Sequence, residues 1–125
     1  MLYRHLLIAF VFVATASSNS YAQVKPALNA IIKTPNALCE SCKARIEGNL
    51  KNLDGVLTVL LNFRKGETRV KYLTDRTDIE QIKTAISNLG YDADDALANP
   101  DAYNRLPKSC KKAEDGGGHP KPRQL

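Results

Sequence analysis

The chain has 125 residues, 18 Lys+Arg, 13 Asp+Glu and 3 Cys, with a formal net charge of +5. That length holds one small domain with peripheral segments and excludes two full domains. The mildly basic balance is too dispersed for a folded nucleic-acid binder, which concentrates its charge on one face. With three Phe, five Tyr and no Trp, the core must come mainly from Leu, Ile, Val and Ala.

Arg4 and His5 are followed by the apolar run of residues 6–16 and by the small, polar residues 17–22, which end Ser20-Tyr21-Ala22. This order is that of a secretory signal peptide, with cleavage expected after Ala22. The run is too short to span a bilayer, which takes about 20 residues. A periplasmic location is therefore expected, without membrane insertion of the mature chain. In that oxidising setting an odd cysteine count leaves at least one thiol free, metal-bound or paired with another molecule.

Residues 23–28 read as a lead-in and residues 29–98 as the domain. Residues 99–125, with four Pro, Gly116-Gly117-Gly118 and Lys108, Lys111 and Lys112, read as a peripheral tail that buries little. Within the domain, Ala30-Ile31-Ile32-Lys33 suits a strand. Ile46, Leu50 and Leu53 mark one face of a helix over 40–53, closed by Asp54-Gly55. Residues 56–63 place Leu57, Val59, Leu61 and Phe63 on one face of a strand. A turn at Arg64-Lys65-Gly66-Glu67 leads to an alternating strand over 68–72, making a hairpin.

Thr77-Asp78-Ile79-Glu80 has capping-box spacing with Thr77 as the cap. Ile79, Ile82, Ile86 and Leu89 then repeat at helical spacing until Gly90 stops them. Residues 91–93 offer a poor last strand among Asp92, Asp94 and Asp95. The order β-α-β-β-α-(β) predicts an α+β, ferredoxin-like βαββαβ sandwich, with two helices on one face of an antiparallel sheet.

The chemistry centres on Cys39-Glu40-Ser41-Cys42, between the first strand and first helix. Two intervening residues let both sulfurs converge at a helix N-terminus, whose free N–H groups and dipole favour thiolates. The pair is expected to be exposed at that junction. Two soft donors suit Cu(I) or Hg(II), and Zn(II) less well, since structural zinc takes four ligands. A thioredoxin-type dithiol and an inert disulfide are the competing readings, though a bridge closing so small a loop stabilises little.

Residues 29–93 resemble the heavy-metal-associated domain, the family of small copper chaperones, P-type ATPase metal-binding repeats and the periplasmic mercury-binding protein. The likeness is carried by Cys39-Glu40-Ser41-Cys42, Leu53-Asp54-Gly55-Val56, and Ile86 with Leu89-Gly90-Tyr91-Asp92-Ala93. The resemblance implies binding of one soft ion by Cys39 and Cys42 without catalysis, and transfer by ligand exchange; the leader-like start tilts it toward a periplasmic mercury scavenger, with exported copper handling next. It implies as partner a metal-transporting membrane protein or another metal-binding domain, with a monomer or a metal-bridged dimer as the assembly. A thiol–disulfide oxidoreductase using the same cysteines is the alternative activity.

Tyr91 falls where bacterial members place a Tyr that shields the thiolates, and packing against the core is its other reading. The chain departs from the family at Asn36-Ala37-Leu38, where Gly-Met-Thr or Gly-Met-His is usual. The family Met plugs the space under the loop; Ala37 fills less of it, and Leu38 is the residue placed to compensate. Cys110, flanked by Lys108, Lys111 and Lys112, is a candidate third ligand or an intermolecular thiol. His119 is a weaker candidate ligand. Lys43 and Arg45 read as a solvated helix face or as steering charge.

Overall fold

The computed structural model describes residues 26–118. Residues 1–22, the expected signal peptide, and His119 therefore lie outside the described residues. Strand β1 (Ala27–Lys33) leads to helix α1 (Glu40–Leu50), the hairpin β2 (Val56–Asn62) and β3 (Glu67–Leu73), and helix α2 (Ile79–Asn88). A short helix α3 (Pro100–Asn104) and 3-10 turns at Lys108–Cys110 and Ala113–Asp115 follow. Among the described residues the sheet has three antiparallel strands in the order β1-β3-β2. No helix among them is long and apolar enough to cross a membrane.

The inner sheet face supplies Ile32, Val59, Leu61, Thr68, Val70 and Tyr72, and the helices lay Ile46, Leu50, Ile82 and Ile86 against it. Period two on the strands meets the helical period of α1 and α2, which is why one face is buried. On the outer face Ile31 and Leu60 flank Arg69 across the ladder and stay exposed. Glu47 of α1 accepts a hydrogen bond from the Leu61 N–H of the edge strand β2 (2.8 Å), tying helix to sheet.

Four local expectations are corrected. Strand β1 begins at Ala27, so the lead-in reaches only to Pro26. The ladder shifts register between Val56 and Thr58, so Leu57 bulges outward and is exposed, while Val56 turns partly inward. The cap of α2 is Asp78, whose carboxylate accepts from Gln81 N–H (2.8 Å) and from Gln81 Nε2 (2.9 Å). Among the described residues the Thr77 hydroxyl is buried without a hydrogen-bond partner; the cap lies one residue later than expected, and the Gln81 side chain returns to the cap carboxylate instead of to its backbone N–H.

The last strand does not form. Ala93 and Ala96 close a tight turn on each other, with Asp94 at a φ of 51°. Asp94 alone meets the free edge of β1, donating its N–H to Lys33 O (2.9 Å) and accepting from Lys33 N–H (2.7 Å). Clustered carboxylates disfavour strand geometry, and one Asx-type turn satisfies the edge instead. Lys83 of α2 anchors this turn through Asp95 (2.6 Å), and also meets Glu80 (2.8 Å).

The Asp78 hydrogen bonds to Gln81 hold its carboxyl below the ordinary aspartate range. A depressed native pKa means that the cap contributes above the unfolded pKa and is lost as pH falls through the native one. Asp78→Ala is expected to lower the melting midpoint by roughly 5 °C at pH 7. The deficit should shrink on acidification, and thermal melts by circular dichroism across pH check both points.

Candidate metal centre

The loop between β1 and α1 is pinned from three sides. Thr34 donates its N–H to Gly66 O in the β2–β3 turn (2.7 Å), and its hydroxyl pairs with that of Thr68 (2.9 Å). Gly66 has a positive φ, and a Cβ there would sit 3.3 Å from the Pro35 Cα, so the turn and loop favour Gly. Asn36 is buried; its Oδ1 accepts the Asp92 N–H (2.8 Å) and its Nδ2 points at Gly90 O (3.5 Å). Asn36 thus ties the loop to the segment after α2. The buried Ala37 joins a core that also includes Leu106 and Cys110, whereas Leu38 is directed at the Gly66 turn.

Cys39 is the N-cap of α1, and its Sγ accepts the Cys42 N–H at 3.3 Å. Helix and ligand pair are therefore one construction: the residue that starts the helix also aims its sulfur at the next turn. Cys39 and Cys42 are in disulfide contact. Cys110 Sγ lies 3.0 Å from Cys42 Sγ and 3.6 Å from Cys39 Sγ. The three sulfurs all fall within 4.8 Å of one another, a convergence of soft donors.

Presentation differs from the open pair expected. Cys42 and Cys110 are 0 % exposed, and only Cys39 is half-buried. The cover is the segment after Ala98, which packs onto the domain instead of trailing from it. Asn99 caps α3 by accepting the Ala102 N–H (3.1 Å), with Pro100 in its first turn. Ala102, Leu106 and Cys110 are buried, and burying Leu106 alone is worth about 2 kcal/mol. The approach depends on Gly90: a Cβ there would lie 2.9 Å from Tyr103 N and 3.0 Å from Ala102 C. Tyr103 Oη accepts the Lys112 N–H (2.8 Å) and donates to Asp115, and Lys112 Nζ stands 3.5 Å from Asp92.

Tyr91 is fully buried, and among the described residues its hydroxyl has no hydrogen-bond partner. Burial first, and the adjoining Cys110 second, push this phenol above the ordinary tyrosine range. Tyr91 therefore adjoins the cysteine cluster as a neutral donor, which joins the shielding and packing roles considered for it. Lys43 is half-buried and Arg45 exposed on α1. Sequence reading missed Asn36 as the loop's anchor and Gly90 as the seat of the returning chain. The spacing of Ala102, Leu106 and Cys110, every fourth residue, was the signal for the latter.

The sequence profile of the "Heavy-metal-associated domain" matches residues 31–92. The chain is 34% identical over 65 residues to "Copper chaperone CopZ" of Staphylococcus haemolyticus, covering 52% of this chain and 96% of that one. It is 36% identical over 67 residues to a "Copper-exporting P-type ATPase" of Staphylococcus aureus strain Newman, covering 54% of this chain but only 8% of the ATPase. Its fold matches oxidised MerP of Ralstonia metallidurans CH34 with a TM-score of 0.52 at 18% identity, over 54% of this chain and 94% of that one. Cys110 lies beyond the matched profile.

Proposed function

Because this chain belongs to the heavy-metal-associated domain family, we propose that it is an exported, non-catalytic carrier of one soft metal ion, held by Cys39 and Cys42 and passed on by thiolate exchange. The observation that carries this reading is the convergence of the two sulfurs at the start of α1, with Cys39 both cap and donor. Copper-handling relatives at 34% and 36% identity put Cu(I) first. Hg(II) fits the same donor set on softness and comes second. Export rests on the leader-like order of residues 1–22.

The exchange needs no redox change. An incoming thiolate forms a bond to the ion as one original metal–thiolate bond breaks, and the departing sulfur leaves as thiolate. Sulfur replaces sulfur, so the ion is never bare. The acceptor that fits is a second two-cysteine site, on a metal-transporting membrane protein or another metal-binding domain.

Titration of the reduced chain with Cu(I) or Hg(II) is expected to saturate at a single ion. Oxidising Cys39 and Cys42 to their disulfide withdraws both donors and is expected to abolish uptake. Equal uptake by reduced and oxidised protein would overturn the proposal. Turnover in a disulfide-reduction assay would favour the oxidoreductase alternative.

A further inference from the structure

Resting on that reading and extending it, we infer that residues 99–118 form a strap whose Cys110 supplies a third thiolate, turning a two-sulfur site into a covered three-sulfur one. The first support is position. Cys110 Sγ reaches both sulfurs of the pair, at 3.0 and 3.6 Å, from 68 and 71 residues away in sequence. A metal–sulfur bond of about 2.3 Å spreads three trigonal sulfurs to about 4 Å apart. Reduction of the Cys39–Cys42 contact frees those two sulfurs to separate toward that spacing.

The second support is Tyr91. Its hydroxyl is fully buried beside Cys110 and, among the described residues, has no hydrogen-bond partner. An orphaned buried O–H is costly unless an acceptor completes it. A Cys110 thiolate is that acceptor, and the phenol then shares the third ligand's charge.

The third support is that the strap is built to stay in place. Gly90 admits it, Asn99 caps its helix, Leu106 and Ala102 bury, and Tyr103 and Lys112 fasten its far end. A free tail would need none of these. The half-buried Cys39 is left as the one accessible sulfur of the site.

The strap makes the carrier retentive. Cys110 occupies the position that an acceptor's thiolate must take during transfer. Handover then exchanges one third ligand for another: the acceptor thiolate bonds to the ion, the Cys110–metal bond breaks, and Cys110 leaves as thiolate. The ion keeps three sulfurs and no electron is transferred.

The test compares the reduced full chain with Cys110→Ser and with the double variant Cys39→Ser, Cys42→Ser. Cu(I) affinity is read against a chromophoric chelator, and coordination from the ultraviolet thiolate-to-Hg(II) charge-transfer spectrum, which moves to lower energy when a third sulfur binds. Cys110→Ser is expected still to bind one ion, at least about tenfold more weakly, with a two-sulfur spectrum and faster release to an acceptor dithiol. Unchanged affinity and spectrum in Cys110→Ser would overturn the strap while leaving the two-cysteine site standing. Undiminished binding in the double variant would overturn the site itself. Should Cys110→Ser fail to fold, a two-sulfur spectrum in the unaltered chain is enough to overturn the strap.

Discussion

Replacing Cys39 and Cys42 together by Ser is expected to weaken Cu(I) or Hg(II) binding by roughly a thousandfold or more, equivalent to about 4 kcal/mol. A serine hydroxyl is a hard donor and stays protonated at neutral pH, so both metal–sulfur bonds are lost together. The fold should survive. Ser is among the best helix caps, so position 39 keeps its hydrogen bond to the residue 42 N–H. Position 42 is fully buried, and an unpaired hydroxyl there costs about 1–3 kcal/mol. Competition titration beside a circular-dichroism melt separates lost ligation from lost structure. A folded double variant with native affinity contradicts the assignment.

Ile46→Ala should have the largest effect on stability. Ile46 is fully buried in α1, one turn beyond Cys42 on the same face. Removing its outer carbons leaves a cavity against the sheet and costs about 2–5 kcal/mol. A domain this small has little to spare, so the metal-free melting midpoint should fall by roughly 15 °C or more. A bound ion at a thousand times its dissociation constant restores about 4 kcal/mol. The variant should therefore melt far lower than the parent when free, and regain much of that loss when loaded. Melts with and without one equivalent of Cu(I) or Hg(II) check this; a loaded variant as unstable as the free one would break the link between site and fold.

The parts legible in the sequence are those governed by local pattern. Ile46 and Leu50, and Ile82 and Ile86, announce their helices by spacing, and β2 and β3 by alternation around Gly66. Cys39 and Cys42 stand out because two thiols with two residues between them at a helix start converge on one point. What escaped the sequence depends on contacts across the chain. Leu57 has the right period for the core face, but the register shift after Val56 turns it out. Thr77 and Asp78 are both good caps, and only the path of the chain after β3 selects Asp78. Asp94 replaces a strand because one side chain satisfies the β1 edge.

The strap was obscured by composition. Pro, Gly and Lys suggest a loose tail, and their weight hid the buried series Ala102, Leu106, Cys110. Its docking depends on Gly90, which in sequence reads only as a helix stop but whose missing side chain seats Tyr103. Cys110 as a neighbour of Cys42 follows from that docking and could be named from the sequence only as a candidate.

The central claim is that sulfur from Cys39 and Cys42 holds the ion. X-ray absorption at the metal edge, on the reduced chain loaded with one equivalent of Cu(I), tests it most directly. The first coordination shell should contain sulfur alone, at about 2.3 Å. Nitrogen or oxygen in that shell, or the same spectrum after both cysteines are changed to Ser, would contradict it.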